Sequence, residues 1–154
     1  MSPQDIYLRY GSVVYRRARR LLGDEQSAKD ACHEVFLRLF HALPEFERAS
    51  PLTWLYKVTT NFCLNLIRDE NRRRKLLAAQ AQPGSSAAGP SLADLLRGFP
   101  NELQEIAVYY FVDEMSQDEI AEVLGISQRT VSNRVSAFRQ LAKTAWAANL
   151  VEAP

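Results

Sequence analysis

The sequence predicts an all-α protein: two small helical domains joined by a flexible linker, the second a helix-turn-helix. Three observations carry that expectation. Apolar residues recur with the 3.6-residue period of a helix in both halves of the chain, and no stretch alternates with the two-residue period of a strand. Helix entry and exit signals bracket those stretches. Between them, residues 78–91, AAQAQPGSSAAGPS, carry neither an apolar period nor a charge, which is the composition of a linker. The expected division is therefore 1–76, a linker at 77–91, and 92–154.

A first helix is expected from Pro3 to Leu22, ended by Gly23, which reaches the left-handed conformation cheaply. A second runs from Glu25 to Leu43 with Asp24 as its N-cap and Pro44 as its breaker. Ala28, Cys32, Val35, Phe36, Leu39 and Leu43 form its apolar stripe. A third starts at the N-cap Ser50, with Pro51 at the first helical position, and runs to about Leu77. Its expected core stripe is Leu55, Val58, Thr59, Phe62 and Leu66. In the second domain, Ser116 and Glu119 form an S-x-x-E capping box ahead of Ile120, Ala121 and Leu124. Gly125 supplies a tight turn, Ser127 caps the next helix, and Val131, Val135 and Phe138 line its apolar face. That spacing fits a helix-turn-helix, whose second helix enters the major groove of DNA.

Charge agrees with that reading. The overall balance is +1, but residues 127–143 hold Arg129, Arg134, Arg139 and Lys143 and no acid, whereas 99–122 hold seven acids and no Lys or Arg. Residues 1–75 carry a net +5 and 99–154 a net −4. One purely basic helix on an otherwise acidic unit turns a single face toward phosphate.

Two further faces stand out. On the second helix Asp30, Glu34 and Arg38 recur every four residues, which suits ordinary solvated surface and equally a charged docking stripe. On the third, Trp54, Lys57, Asn61, Asn65 and Arg68 lie opposite the core stripe and continue into Arg72, Arg73, Arg74 and Lys75. Aromatic, amide and basic groups together suit unpaired nucleic acid, because rings stack bases, amides read edges and cations hold the backbone. The same pattern suits a half-buried tryptophan followed by a solvated helix end.

Other classes are disfavoured. No run of eighteen apolar residues exists, so no membrane insertion is expected. The start, MSPQDIYLRYGS, lacks the layout of a signal peptide, and a cytoplasmic location is expected. Cys32 and Cys63 form no C-x-x-C pair and are expected as buried, reduced thiols. Cys32 and His33 point about 100° apart on a helix, so with His41 they make a poor ligand set, and neither metal nor cofactor is expected. With no nucleophile–base set and no phosphate loop, the chain is not expected to be an enzyme.

These segments together resemble the RNA polymerase sigma factors of the extracytoplasmic-function group, which have two helical domains called region two and region four. AKDACHEVFLRLF at 28–40 resembles the acidic region-two helix, and TWLYKVTTN at 53–61 with LNLIRDENRRR at 64–74 resembles the family's tryptophan-leucine-tyrosine segment and its basic tail. FPNELQEIAVYYF and the helix-turn-helix through 139 resemble region four. The resemblance implies that Asp30, Glu34 and Arg38 dock on core RNA polymerase. It implies that Phe46, Glu47, Arg48, Ala49 and Ser50, with Asn61, recognise unpaired bases of the minus-ten element. Trp54, Lys57, Asn65, Arg68, Arg72 and Arg73 would help hold the opened strand. In region four Ser132, Asn133 and Ser136 would face bases of the minus-thirty-five element, with Gln128, Arg129, Thr130 and Arg134 beside them, the arginines and threonine on phosphates. The implied partners are core polymerase, promoter DNA as duplex and opened strand, and an anti-sigma factor. The sequence departs from the family's pattern at His33, usually glutamine, and at Ser132, Ser136 and Ala137, often arginine or aromatic. The alternative is a free-standing helix-turn-helix regulator whose N-terminal domain senses or dimerises.

Overall fold

The computed structural model describes residues 2–42, 51–77 and 92–152. Among them the chain is helical and holds no strand. It divides into two units, 1–97 and 98–154. The short helix at 92–96, which the sequence reading assigned to the second domain, groups with the first unit.

In the N-terminal unit α1 spans Pro3–Leu22, α2 Glu25–His41, α3 Pro51–Leu77 and α4 Leu92–Leu96. The caps are those the sequence predicts. Gly23 is left-handed (φ 77°) and its N–H closes on the Arg19 carbonyl, while the Asp24 carboxylate accepts from the Ser27 N–H. That bond holds the Asp24 carboxyl below the usual 3.8. Ser2 and Asp5 add a reciprocal capping box at the start of α1. The helix α2 ends at His41; Leu43, Pro44, the cap Ser50 and the linker 78–91 lie outside the described residues.

Ile6 and Val14 of α1, Cys32, Val35, Phe36 and Leu39 of α2, and Leu55 of α3 make the core of this unit. Each large aliphatic side chain buried there contributes about 1.5–3 kcal/mol. The stripe of α3 differs from expectation. Leu55 and Thr59 are buried, but Thr60, Cys63, Leu64 and Ile67 are buried with them, Val58 and Phe62 are only half-buried, and Leu66 is exposed. The reason is that α1 and α2 both pack on α3, so its covered arc is wider and rotated from the single stripe that a two-helix contact needs. Burial raises the Cys32 thiol and pushes Cys63 up to about 12, so both are poor thiolates.

In the C-terminal unit α5 spans Asn101–Ala107 and passes into a wider, π-helical turn at Val108–Val112; α6 is Gln117–Leu124 and α7 Gln128–Glu152. The π turn ends where the Asp113 N–H reaches the Val108 carbonyl and the Met115 N–H the Tyr109 carbonyl, both at 3.0 Å. Glu114 then turns the chain with φ 54°. Ile106, Tyr109, Ile120, Val131 and Val135 form the core, one or two residues from each helix.

Candidate nucleic-acid interface

The helix-turn-helix is built from local chemistry outward. The Ser116 hydroxyl accepts from the Glu119 N–H at 3.1 Å, and the Glu119 carboxylate accepts from the Ser116 N–H at 3.2 Å. The helix α6 stops at Gly125, left-handed at φ 67°, whose N–H bonds the Ala121 carbonyl. Ser127 then caps α7 by accepting from the Thr130 N–H at 3.1 Å. Ile120, Val131, Val135 and Phe138 are buried, while Ala121 and Leu124 are half-buried. Burying 131, 135 and 138 fixes which side of α7 meets solvent.

On that outer side Gln128, Arg129, Asn133 and Ser136 are exposed. Residues 129, 133 and 136 follow one line along the helix, with Asn133 at its centre. Thr130, Ser132 and Arg134 are half-buried. The Thr130 hydroxyl is 2.8 Å from the Ser127 hydroxyl, so it belongs to the cap as much as to the surface. Arg134 leans back toward Glu102, 3.9 Å away. Arg139 lies over the rings of Tyr110 and Phe111, 5.5 and 5.6 Å from their centroids. Arg129 is exposed and has no acidic partner among the described residues, so its guanidinium is open to an anion.

The expected face of α3 is mostly present. Lys57, Asn61 and Asn65 are exposed at four-residue steps, and Arg68 donates to the Asn65 amide oxygen at 2.9 Å. Arg72 and Arg73 are exposed beyond them. Arg73 lies 3.5 Å from Glu70, and Arg74 bridges Glu70 at 3.6 Å and Asp94 of α4 at 3.7 Å. Trp54 sits differently from the rest: it is half-buried against the N-terminal core rather than standing free as a platform. The expected reading loop, Phe46, Glu47, Arg48, Ala49 and Ser50, lies outside the described residues.

The charged stripe on α2 is not buried. Asp30 accepts from the Gln26 amide at 3.1 Å, Glu34 pairs with Arg38 at 3.5 Å, and the Arg38 guanidinium lies 4.7 Å from the Phe62 ring centroid. Leu37 and Phe40 are each 41% exposed beside these charges, and the sequence reading missed them. Leu37 is seven residues from Asp30 and three from Glu34, so a helical wheel puts it on the charged face. Nothing in the apolar stripe required it there.

No helix among the described residues is long and apolar enough to cross a membrane, and no group of His, Cys, Asp and Glu there could hold a metal ion.

Comparison with known proteins matches both units. The sigma-70 region 2 family model matches residues 6–73, and the sigma-70 region 4 model matches 91–140. Among curated proteins, the chain is 28% identical over 152 residues to the ECF RNA polymerase sigma factor SigE of Mycolicibacterium smegmatis, covering 90% of this chain and 59% of that one. It is 24% identical over 157 residues to the ECF RNA polymerase sigma factor SigW of Bacillus subtilis, covering 88% and 84%. Of solved structures, CnrH in complex with the cytosolic domain of CnrY superposes with a TM-score of 0.63 at 24% identity, covering 95% of this chain and 88% of that one. The sigma factor RpoE in complex with the anti-sigma factor NepR from Bartonella quintana superposes at 0.57 and 18%, covering 92% and 94%. These two likenesses bear on the fold.

Proposed function

The chain belongs to the RNA polymerase sigma factors of the extracytoplasmic-function group, and from that premise we propose how its two units divide the work. The chain binds core RNA polymerase and directs it to promoters, acting in the cytoplasm as a binding protein. The N-terminal unit docks through the Asp30, Glu34 and Arg38 face, with Leu37 and Phe40 supplying the apolar area that charges alone lack. Its α3 presents Lys57, Asn61 and Asn65 to the opened strand at the minus-ten element, with Arg68, Arg72 and Arg73 on the backbone and the loop 46–50 beside them. Trp54 supports that face from beneath. The C-terminal unit lays α7 in the major groove at the minus-thirty-five element, with Asn133 and Ser136 toward bases and Arg129 toward phosphate. We place the junction between the two functions at 77–91, supported by its composition and by the gap between the two family matches. An anti-sigma factor is the expected restraining partner, by analogy with the similar sigma factor solved in complex with one.

One observation carries this reading: a single chain holds both a helix-turn-helix and a separate helix with exposed amides running into a basic end. A free-standing regulator needs only the first. Run-off transcription with purified core polymerase tests the difference. Transcripts that depend on both chain and promoter support the proposal. Duplex binding without any core-dependent transcript would favour the free-standing regulator.

A further inference from the structure

Among the described residues one charged side chain is buried: Arg17 of α1, 7% exposed. Its Nε donates to the Thr60 hydroxyl of α3 at 2.8 Å, and its guanidinium lies 4.5 Å from the Tyr56 ring centroid. Thr60 is fully buried. Tyr56 and Thr60 are one turn apart on α3, and the residue after each, Lys57 and Asn61, is exposed. Successive side chains on a helix point about 100° apart, so a contact that fixes Tyr56 and Thr60 inward also fixes where Lys57 and Asn61 point outward.

Stability gives weak grounds for a charge buried at this position. A buried charge pays desolvation, and an apolar side chain of similar volume in its place is often neutral or stabilising. Apart from Thr59, the rest of the inner face of α3, including Leu55, Cys63, Leu64 and Ile67, is apolar and non-directional, and tolerates a small rotation or slide. A planar guanidinium that both bonds one residue and stacks on its neighbour one turn away does not.

We propose that Arg17 is a positioning residue for promoter reading: it sets the rotation and height of α3 so that Asn61 meets the unpaired base. The inference rests on the reading of Asn61 given above. It also explains why a group buried on the inner side of α3 carries a charge.

The test uses holoenzyme reconstituted from core polymerase and the full chain. The readout is the ratio of promoter opening on a matched minus-ten element to opening on one with a single base changed. Arg17→Met should keep core affinity and melting close to the parent while lowering the ratio about threefold or more. Arg17→Lys, which keeps charge but not the planar fork, should recover part of it. In the Arg17→Met/Asn61→Ala double variant the ratio should be no lower than in Asn61→Ala alone, because Arg17 acts through Asn61. An Arg17→Met protein with an unchanged ratio overturns the inference, whatever its melting temperature. So do losses that multiply in the double variant. If Asn61→Ala itself leaves the ratio intact, the reading of the α3 face falls and this inference with it, which is a separable outcome. If Arg17→Met does not fold, Thr60→Val removes the acceptor at nearly constant volume. It should lower the ratio likewise, and an unaltered ratio there refutes the role.

Discussion

Arg129 and Arg134 sit five residues apart on α7, and a count of basic residues treats them alike. The structure does not. Arg129 is exposed and has no acidic partner among the described residues, whereas the Arg134 side chain is 28% exposed and faces Glu102 at 3.9 Å. For each phosphate neutralised, the logarithm of affinity falls by about 0.9 per decade of salt on duplex DNA. Between about 50 and about 200 mM salt, losing one full contact removes about 3.5-fold of the salt effect, about 0.7 kcal/mol. Arg129→Gln should therefore flatten the slope by nearly one unit. Arg134→Gln should flatten it by clearly less, because that cation is already partly neutralised and must leave Glu102 to reach a phosphate. Its ion pair with an acid that is 72% exposed costs only about 0.2–1 kcal/mol to break. Glu102→Gln should then raise duplex affinity and steepen the slope by freeing Arg134. Fluorescence anisotropy of the full chain on a labelled duplex, titrated at four or more salt concentrations, measures all three slopes. An Arg134→Gln slope change equal to or larger than that of Arg129→Gln would refute the assignment of Arg129 as the principal phosphate contact.

Further outcomes follow from the same geometry. Asp30→Lys with Glu34→Lys should weaken core polymerase binding at nearly unchanged helix content, since neither side chain is buried, and Leu37→Ala should weaken it further; equilibrium titration beside circular dichroism checks both. Gly125→Ala meets no atom within 4 Å, so its cost is the left-handed backbone alone. That is about 1–2 kcal/mol, and Gly125→Asn should cost less. At about 4–8 °C per kcal/mol in a unit this small, the loss is visible by calorimetry. The Asp24 carboxyl is held below its ordinary value by the Ser27 N–H. A depressed native pKa means stability that is present above the unfolded value of 3.8 and lost as pH falls through the native one. Asp24→Asn keeps an acceptor that does not titrate, so melting curves of the two proteins should run parallel above about pH 5 and converge or cross below about pH 4.

What was legible in the sequence was the chemistry that is local. Gly23, Asp24, Ser116 with Glu119, Gly125 and Ser127 act within one turn of helix, and each acts where its spacing says. The charged residues on α2 and the exposed line of 129, 133 and 136 on α7 were legible for the same reason, since burying one stripe determines the other, but the exposed Leu37 and Phe40 of α2 were not. The α3 stripe was harder, because two neighbours cover that helix and only one was implied by its pattern. That extra cover buries Cys63, Leu64 and Ile67 and turns Leu66 outward. Trp54 could be read as platform or as core, and its ring packs inward. Arg17 was hidden because a charged residue among four other arginines of α1 reads as surface; its hydrogen-bond partner Thr60 lies 43 residues away on α3. The π turn at Val108–Val112 leaves no mark in an apolar run that suits an ordinary helix equally well.

In the proposed function two separate units read two separate promoter elements. Transcription in vitro from a library randomised across both elements, with core polymerase and parent, Asn61→Ala or Asn133→Ala chain, tests it directly. Asn61→Ala should relax base preference only within the downstream element. Asn133→Ala should change preference at a single position of the upstream element, at about 1–3 kcal/mol on the best site. A preference change that appears in both elements with either variant, or in neither, would contradict it.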